Sequence, residues 1–282
     1  MDTIEVELAQ GLFRNGVFHR SSKVAPLTGR AESDLRDSVM AQQSNADVAT
    51  RLLATSVGAI GALSPLTTED MADLTVGDRE RLLFALYRAS LGSRIDVLAT
   101  CWQCEEVCEL DIAAQVAPPH QAPAQALHHL DYERDDAAWR IGFRLPTGRD
   151  QADLASAASE GRDDAEMLLL RRCMVGATCN GQPVEAVEPD EEMLAAFGEY
   201  VRHADLAAEG IVRFACPACG AGIEVLIDAM TILRGALMDG QSILLDVHRL
   251  ARTYHWTERE ILALTGNRRR DYLALIEEEE QA

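Results

Sequence analysis

Two short cysteine pairs, Cys101/Cys104 and Cys216/Cys219, constrain this chain more than any other feature, because each sits in the middle of an apolar run that reads as a β-hairpin. Ile95 to Thr100 leads into Cys101-Trp102-Gln103-Cys104 and out through Val107 to Ile112. Ile211 to Ala215 leads into Cys216-Pro217-Ala218-Cys219-Gly220 and out through Ile223 to Ile227. Strand, CxxC turn and strand make a zinc knuckle, and two knuckles supply the four thiolates of a closed tetrahedral site. Neither hairpin completes a site alone. The expected metal ligands are therefore Cys101, Cys104, Cys216 and Cys219, holding one structural zinc ion per chain.

The gap between the pairs far exceeds that of an ordinary zinc ribbon, so the fold must bring distant segments together, and an internal repeat explains how. Pro26-Leu27-Thr28-Gly29-Arg30, with Asp34-Leu35 after it, recurs as Leu145-Pro146-Thr147-Gly148-Arg149 with Asp153-Leu154. Arg51-Leu52-Leu53 with Val57-Gly58-Ala59 is echoed by Leu169-Leu170-Arg171-Arg172 with Val175-Gly176-Ala177. An amphipathic helix is predicted in each half, near Asp78 to Leu91 and near Asp190 to Ala208, and each half ends in its CxxC hairpin. The offset between the halves is roughly 115 to 119 residues. The expected fold is α+β, a tandem duplicated helix and β-hairpin repeat joined by a shared four-cysteine zinc-ribbon-like site, with a C-terminal helical module. The expected boundaries are 1–116 for the first repeat, 117–136 for a linker, 137–228 for the second repeat and 229–282 for the helical module.

The N-terminal residues lack the basic and apolar regions of a secretory signal, and no stretch approaches the roughly 18 apolar residues of a membrane span. The expectation is a cytoplasmic protein, free or incorporated in a larger particle, with no membrane partner. Thiols stay reduced in that compartment, which favours metal over disulfide for the paired cysteines. A thiol redox use of the CxxC pairs remains a third reading.

Net charge decides between partner classes. The chain carries 26 basic and 46 acidic residues, a formal charge of −20, whereas nucleic-acid binding draws its affinity from Lys and Arg that neutralise phosphates. A zinc-ribbon adaptor of transcription or RNA metabolism is the runner-up that this charge disfavours; no nucleic-acid partner is expected. The only basic cluster is Arg268-Arg269-Arg270. An acidic surface steers toward basic protein partners instead.

Catalytic signatures are missing from the sequence: it has no GxSxG elbow, no Walker loop, no GxGxxG and no HExxH. Four thiolates also leave no open coordination position for a reacting water. The chain is therefore not expected to be an enzyme. Cys108 reads as a buried apolar cysteine or a spare ligand, Cys173 and Cys179 as packing residues, and the run from His128 to Asp136 as a solvated part of the linker.

The C-terminal segment predicts a helix, a break near Gly240, a second helix to Arg252, a short helix opened by the capping box Thr257-Glu258-Arg259-Glu260, and a last helix from about Arg268. Its acidic end, Glu277 to Glu280, opposes the helix dipole, so the last turn is expected to fray. Tyr254, Trp256 and Tyr272 are either a partner-docking patch or packing between these helices. Leu245 to Leu264, with Arg269-Arg270-Asp271-Tyr272-Leu273 downstream, resembles the tail of proteins encoded with contractile phage tails and phage-tail-like injection systems. With Leu145 to Arg149 and Phe214 to Gly220 added, the chain resembles the baseplate hub assembly chaperone family of myophages. The first knuckle departs from the second by Trp102 and Gln103 in place of Pro217 and Ala218, and by the missing glycine after its second cysteine. The resemblance implies a non-enzymatic assembly factor or structural component of a contractile tail, with baseplate or hub proteins as partners.

Overall fold

The computed structural model describes residues 3–114, 124–134, 136–185, 187–208, 210–239 and 242–281. The chain begins with an antiparallel hairpin, β1 (Ile4–Arg14) and β2 (Val17–Val24), followed by α1 (Gly29–Met40) and α2 (Asn45–Ser56). The return strand β3 (Val57–Ile60) pairs with β2, then come α3 (Thr68–Asp73), α4 (Val76–Ser90) and the hairpin β4 (Arg94–Thr100) and β5 (Val107–Ala113). The same order recurs in the second half, except that a strand stands where the first half has α3. It runs β6 (His128–Arg134), β7 (Ala137–Phe143), α5 (Gly148–Ser159), α6 (Ala165–Cys173), β8 (Met174–Cys179), β9 (Gln182–Val184), α7 (Glu191–Ala204), β10 (Ile211–Ala215) and β11 (Gly222–Leu226). Four more helices follow: α8 (Ala229–Asp239), α9 (Ile243–Tyr254), α10 (Glu258–Leu262) and α11 (Gly266–Gln281). The fold is α+β, with eleven helices and small antiparallel sheets among the described residues, and a four-cysteine cluster joins its two parts.

Local chemistry explains where the helices start. Side chains of Thr28, Ser44, Thr75 and Asp190 accept hydrogen bonds from amides in the first turns of α1, α2, α4 and α7, and Thr67 and Thr257 form reciprocal capping boxes with Asp70 and Glu260. Each cap satisfies amides that the helix itself leaves without a partner.

The largest core joins β1, β2, α2 and α4, and it is completed by α8, whose Met230, Leu233 and Leu237 are buried in it. An apolar stripe at helical spacing must be buried somewhere, and α8, the first helix of the segment expected as the C-terminal module, buries its stripe against the first repeat. A second core forms under the β6 to β9 sheet around Ile141, Phe143, Leu170, Met193 and Phe197. The helices α9 to α11 enclose a small core of Leu250, Ile261, Leu273 and Ile276.

Helix α4 differs most from its predicted form. An amphipathic helix leaves a polar face in water, yet here Asp78, Arg79, Glu80 and Arg81 are all buried. Three of these side chains tie different neighbours. Asp78 accepts the amides of Ala9, Gln10 and Gly11 at 2.5, 3.0 and 2.7 Å, where the β1 register shifts. Glu80 accepts the Ala229 amide at the start of α8 at 3.0 Å. Arg79 donates to the carbonyls of Met71 and Ala46 at 2.8 and 2.9 Å and to the side chains of Thr50 and Gln151. Buried polar groups are tolerated when they are paired.

Two further expectations change. His128 to Arg134, read as solvated linker, is strand β6 in full register with β7, and His128 is buried, with Nδ1 3.1 Å from the Tyr200 hydroxyl. Alternation of apolar and polar residues was masked there by two histidines. The proposed break near Gly240 and the proline-rich part of the linker lie outside the described residues. The predicted fraying of the last turn is not seen: α11 runs to Gln281, and Arg249 on α9 holds Glu277 at 2.9 Å.

Candidate metal centre

The four predicted cysteines meet. The β4–β5 hairpin pairs from Arg94↔Ala113 to Thr100↔Val107, and the β10–β11 hairpin from Ile211↔Leu226 to Ala215↔Gly222, so each CxxC turn lies at the tip of its ladder. The two tips fold alike. The Cys101 amide donates to Glu106 O at 2.8 Å and the Glu105 amide to Cys101 O at 3.0 Å; the Cys216 amide donates to Ala221 O at 2.8 Å and the Gly220 amide to Cys216 O at 2.9 Å. Both turns need a left-handed residue after the second cysteine, which is Gly220 at φ +77° in one and Glu105 at φ +61° in the other. A side chain in that conformation is strained.

Thiols pair across the hairpins rather than within them. Cys101 Sγ lies 3.7 Å from Cys219 Sγ, and Cys104 Sγ 3.7 Å from Cys216 Sγ. All four sulfur atoms lie within 4.8 Å of one another. A tetrahedral zinc with Zn–S bonds of about 2.3 Å has S···S edges of about 3.8 Å, whereas a disulfide needs about 2.05 Å. The donor set and its spacing fit a closed thiolate site. Cys101 and Cys216 are buried, and Cys104 and Cys219 reach the surface. The amides of Cys219 and Ala218 point at the Cys216 sulfur and pull its pKa down to about 6, while hydrogen bonds among the thiols push Cys104 up to about 12, so metal binding must displace protons from the cluster.

Beneath the sulfurs, Cys108 and Ile223 are buried with Ala99, Phe214, Ala221 and Val225 around them. Cys108 thus packs under the cluster and is not one of the four clustered ligands. Across the top, the Trp102 indole donates from Nε1 to Gly222 O at 2.9 Å, so the first knuckle's tryptophan holds the second hairpin while the residue as a whole is 75 % exposed. Cys173 is fully buried in the second core and Cys179 ends β8.

Tyr254, Trp256 and Tyr272 come together, although far from the cysteines in the chain. Tyr254 stacks on Trp256 with centroids 4.9 Å apart, Trp256 meets Tyr272 edge-on at 4.9 Å, and all three are half-buried against the α9 to α11 core. Of the arginine triplet, Arg269 is buried between Glu32 and Asp246 and Arg268 lies over the Tyr272 ring. Sequence reading missed that Arg269 is a buried structural residue. The sequence signals only its equivalence to Arg79, since Thr257-x-x-Glu260-Ile261-x-x-Leu264-Thr265-x-x-x-Arg269 repeats Thr67-x-x-Asp70-Met71-x-x-Leu74-Thr75-x-x-x-Arg79.

Comparison with known families matches residues 37–208, more than half of the chain, to the model of the T4 bacteriophage base plate protein. No curated protein and no solved structure matches the chain.

Proposed function

We propose, from the premise that this chain belongs to the T4 bacteriophage base plate protein family, that it is a non-enzymatic assembly factor or structural component of the base plate or hub of a contractile tail. In this reading zinc, held by Cys101, Cys104, Cys216 and Cys219, supplies no reaction chemistry and cross-links the two repeats. The protein's own residues do the rest: the two hairpins present the thiols, Trp102 clamps them, and α4 locks the first repeat to the second through Arg79 and through the Gly77 amide, which donates to Asp205 at 2.9 Å.

The observation that carries this reading is the placement of sulfurs 112 and 118 residues apart within one tetrahedral cluster. Such a staple makes one rigid body of two repeats, and rigid presentation of a surface is what recognition of a large partner uses. Charge supports a protein partner over nucleic acid. Co-expression with base plate and hub proteins of a contractile tail, followed by affinity capture and sizing, tests the reading. Recovery of a defined complex with one of them is expected. Failure to retain any of them, together with micromolar DNA affinity at physiological salt, would replace it with the adaptor reading.

A further inference from the structure

The duplication shows an apolar groove in the second repeat whose counterpart in the first repeat is covered by a helix. Helices α4 and α7 are equivalents: their N-caps, Thr75 and Asp190, precede Cys101 and Cys216 by the same number of residues. Helices α2 and α6 are equivalents too, since each runs directly into the strand that returns to its hairpin. In the first repeat α8 packs against both α2 and α4. It buries Met230, Leu233 and Leu237 there, places its first amide on Glu80, and holds Asn45 through Arg234 at 2.7 Å.

Among the described residues, the same side is open between α6 and α7. A groove of about 610 Å³ is lined by Leu169 of α6 and by Leu194, Phe197, Gly198 and Val201 of α7. A Cβ built at Gly198 meets nothing within 4 Å. The positions that carry Arg79 and Glu80 on α4 carry Leu194 and Ala195 on α7, so α7 lacks the carboxylate that accepts the first amide of α8 in the first repeat. The groove's charges are the carboxylates of Glu166, Glu191 and Asp205 against one guanidinium, Arg202, and Arg202 is already paired with Glu199.

We propose that this groove receives an amphipathic helix of a partner protein, seated as α8 is seated on the first repeat, with apolar residues at i, i+3 and i+7 and basic residues at its flanks. Helix-in-groove recognition uses this spacing, and the carboxylates at the groove's edge suit basic residues flanking such a helix. Charge argues against a second copy of this chain as donor, because two bodies of −20 repel. The groove is separate from the cysteine cluster; only the identity of the donor as a base plate protein rests on the reading above.

The test uses the full-length protein and a labelled synthetic peptide of residues 227–239 carrying Asp228→Lys and Asp239→Lys, followed by fluorescence anisotropy. Saturable binding with a Kd on the order of 10–100 µM is expected, abolished in a peptide that also carries Leu233→Pro. In the protein, Gly198→Trp fills the groove and Leu194→Arg repels the basic peptide; each should weaken binding at least about tenfold, or 1.4 kcal/mol, with circular dichroism and bound metal unchanged. Absence of binding at about 1 mM peptide, or binding that survives both substitutions, would overturn the proposal. Because this assay contains no base plate protein, its failure would leave the assembly reading to its own test.

Discussion

Arg79 and Arg269 occupy the same place in two helix junctions. Each lies four residues after a threonine whose carbonyl accepts its amide at 3.0 Å, and those threonines bridge to the threonines that open the Thr-Gly helices, Thr75 to Thr147 and Thr265 to Thr28. Each guanidinium lies against the glycine of the opposite helix start, Arg79 over Gly148 and Arg269 over Gly29, so a Cβ at either glycine would collide with it. The C-terminal helices α10 and α11 therefore grip α1 as α3 and α4 grip α5. The two arginines differ in one respect. Neutral oxygens hold Arg79, whose burial draws its pKa down to about 10, whereas Arg269 sits between two carboxylates.

That difference sets the first expected outcome. Arg269→Ala leaves Glu32 and Asp246 without their buried partner, a loss of about 3–5 kcal/mol for this kind of pair. The cost should fall on the junction between α1 and the C-terminal helices. Hydrogen exchange should accelerate in α1, α10 and α11 while the amides of α4 and α5 keep their protection. Uniform loss of protection through α4 and α5 would show that the junction is not separable from the rest.

Metal content is the second. Purified protein should hold about one zinc, because each knuckle supplies half of a four-thiolate shell. Cys216→Ser with Cys219→Ser should release all of it, measured by elemental analysis, since Cys101 and Cys104 alone cannot close the shell. Linking segments so far apart costs chain entropy that grows only logarithmically, and a structural zinc's binding free energy of order ~10 kcal/mol offsets it. Two zinc ions per chain, or unchanged content in the double variant, would mean that the knuckles act separately.

Strain at Glu105 gives the third. A left-handed residue other than glycine costs about 1–2 kcal/mol, and glycine returns part of that as greater freedom of the unfolded chain. Glu105→Gly should stabilise by about 0.5–1 kcal/mol with metal content unchanged, whereas Gly220→Ala should destabilise by about 1 kcal/mol. Chemical denaturation of the two variants in parallel checks both signs.

Acidity supplies the fourth. Burial raises the Asp205 carboxyl to about 6, helped by Asp78 and opposed by the Gly77 amide and Arg81. A carboxyl whose folded pKa lies above its unfolded value near 3.8 costs nothing below that value; the penalty grows as pH rises and is complete above about 6. At about 1.36 kcal/mol per pKa unit the penalty is of order 3 kcal/mol. Asp205→Asn keeps an acceptor for the Gly77 amide and removes the titration. Its stability relative to the parent should therefore rise between about pH 4 and pH 6 and level off above, read from urea midpoints. A difference that does not vary with pH would show that Asp205 does not carry the titration.

The sequence by itself determined the features that depend on a few neighbouring residues. Both CxxC hairpins, the recurring Thr-Gly-Arg helix starts and the Thr257/Glu260 capping box stand in the structure where the residues place them, because turns, caps and alternation are decided within one or two turns of chain. Thiol convergence was legible too, since half-sites demand a partner. What only the tertiary structure decided is which surface covers which. Nothing near Asp78, Arg79 and Glu80 says that they will be buried; their partners lie at Ala9 to Gly11, Ala46, Met71 and Ala229. Likewise α8 carries the same apolar stripe whether it packs on α9 or on α4, and Arg269 reads as surface charge until Glu32 is brought against it from 237 residues away. A helix pattern specifies that a face must be buried, but the choice of neighbour is settled by shape and charge between segments remote in the chain, and that information is spread over both partners.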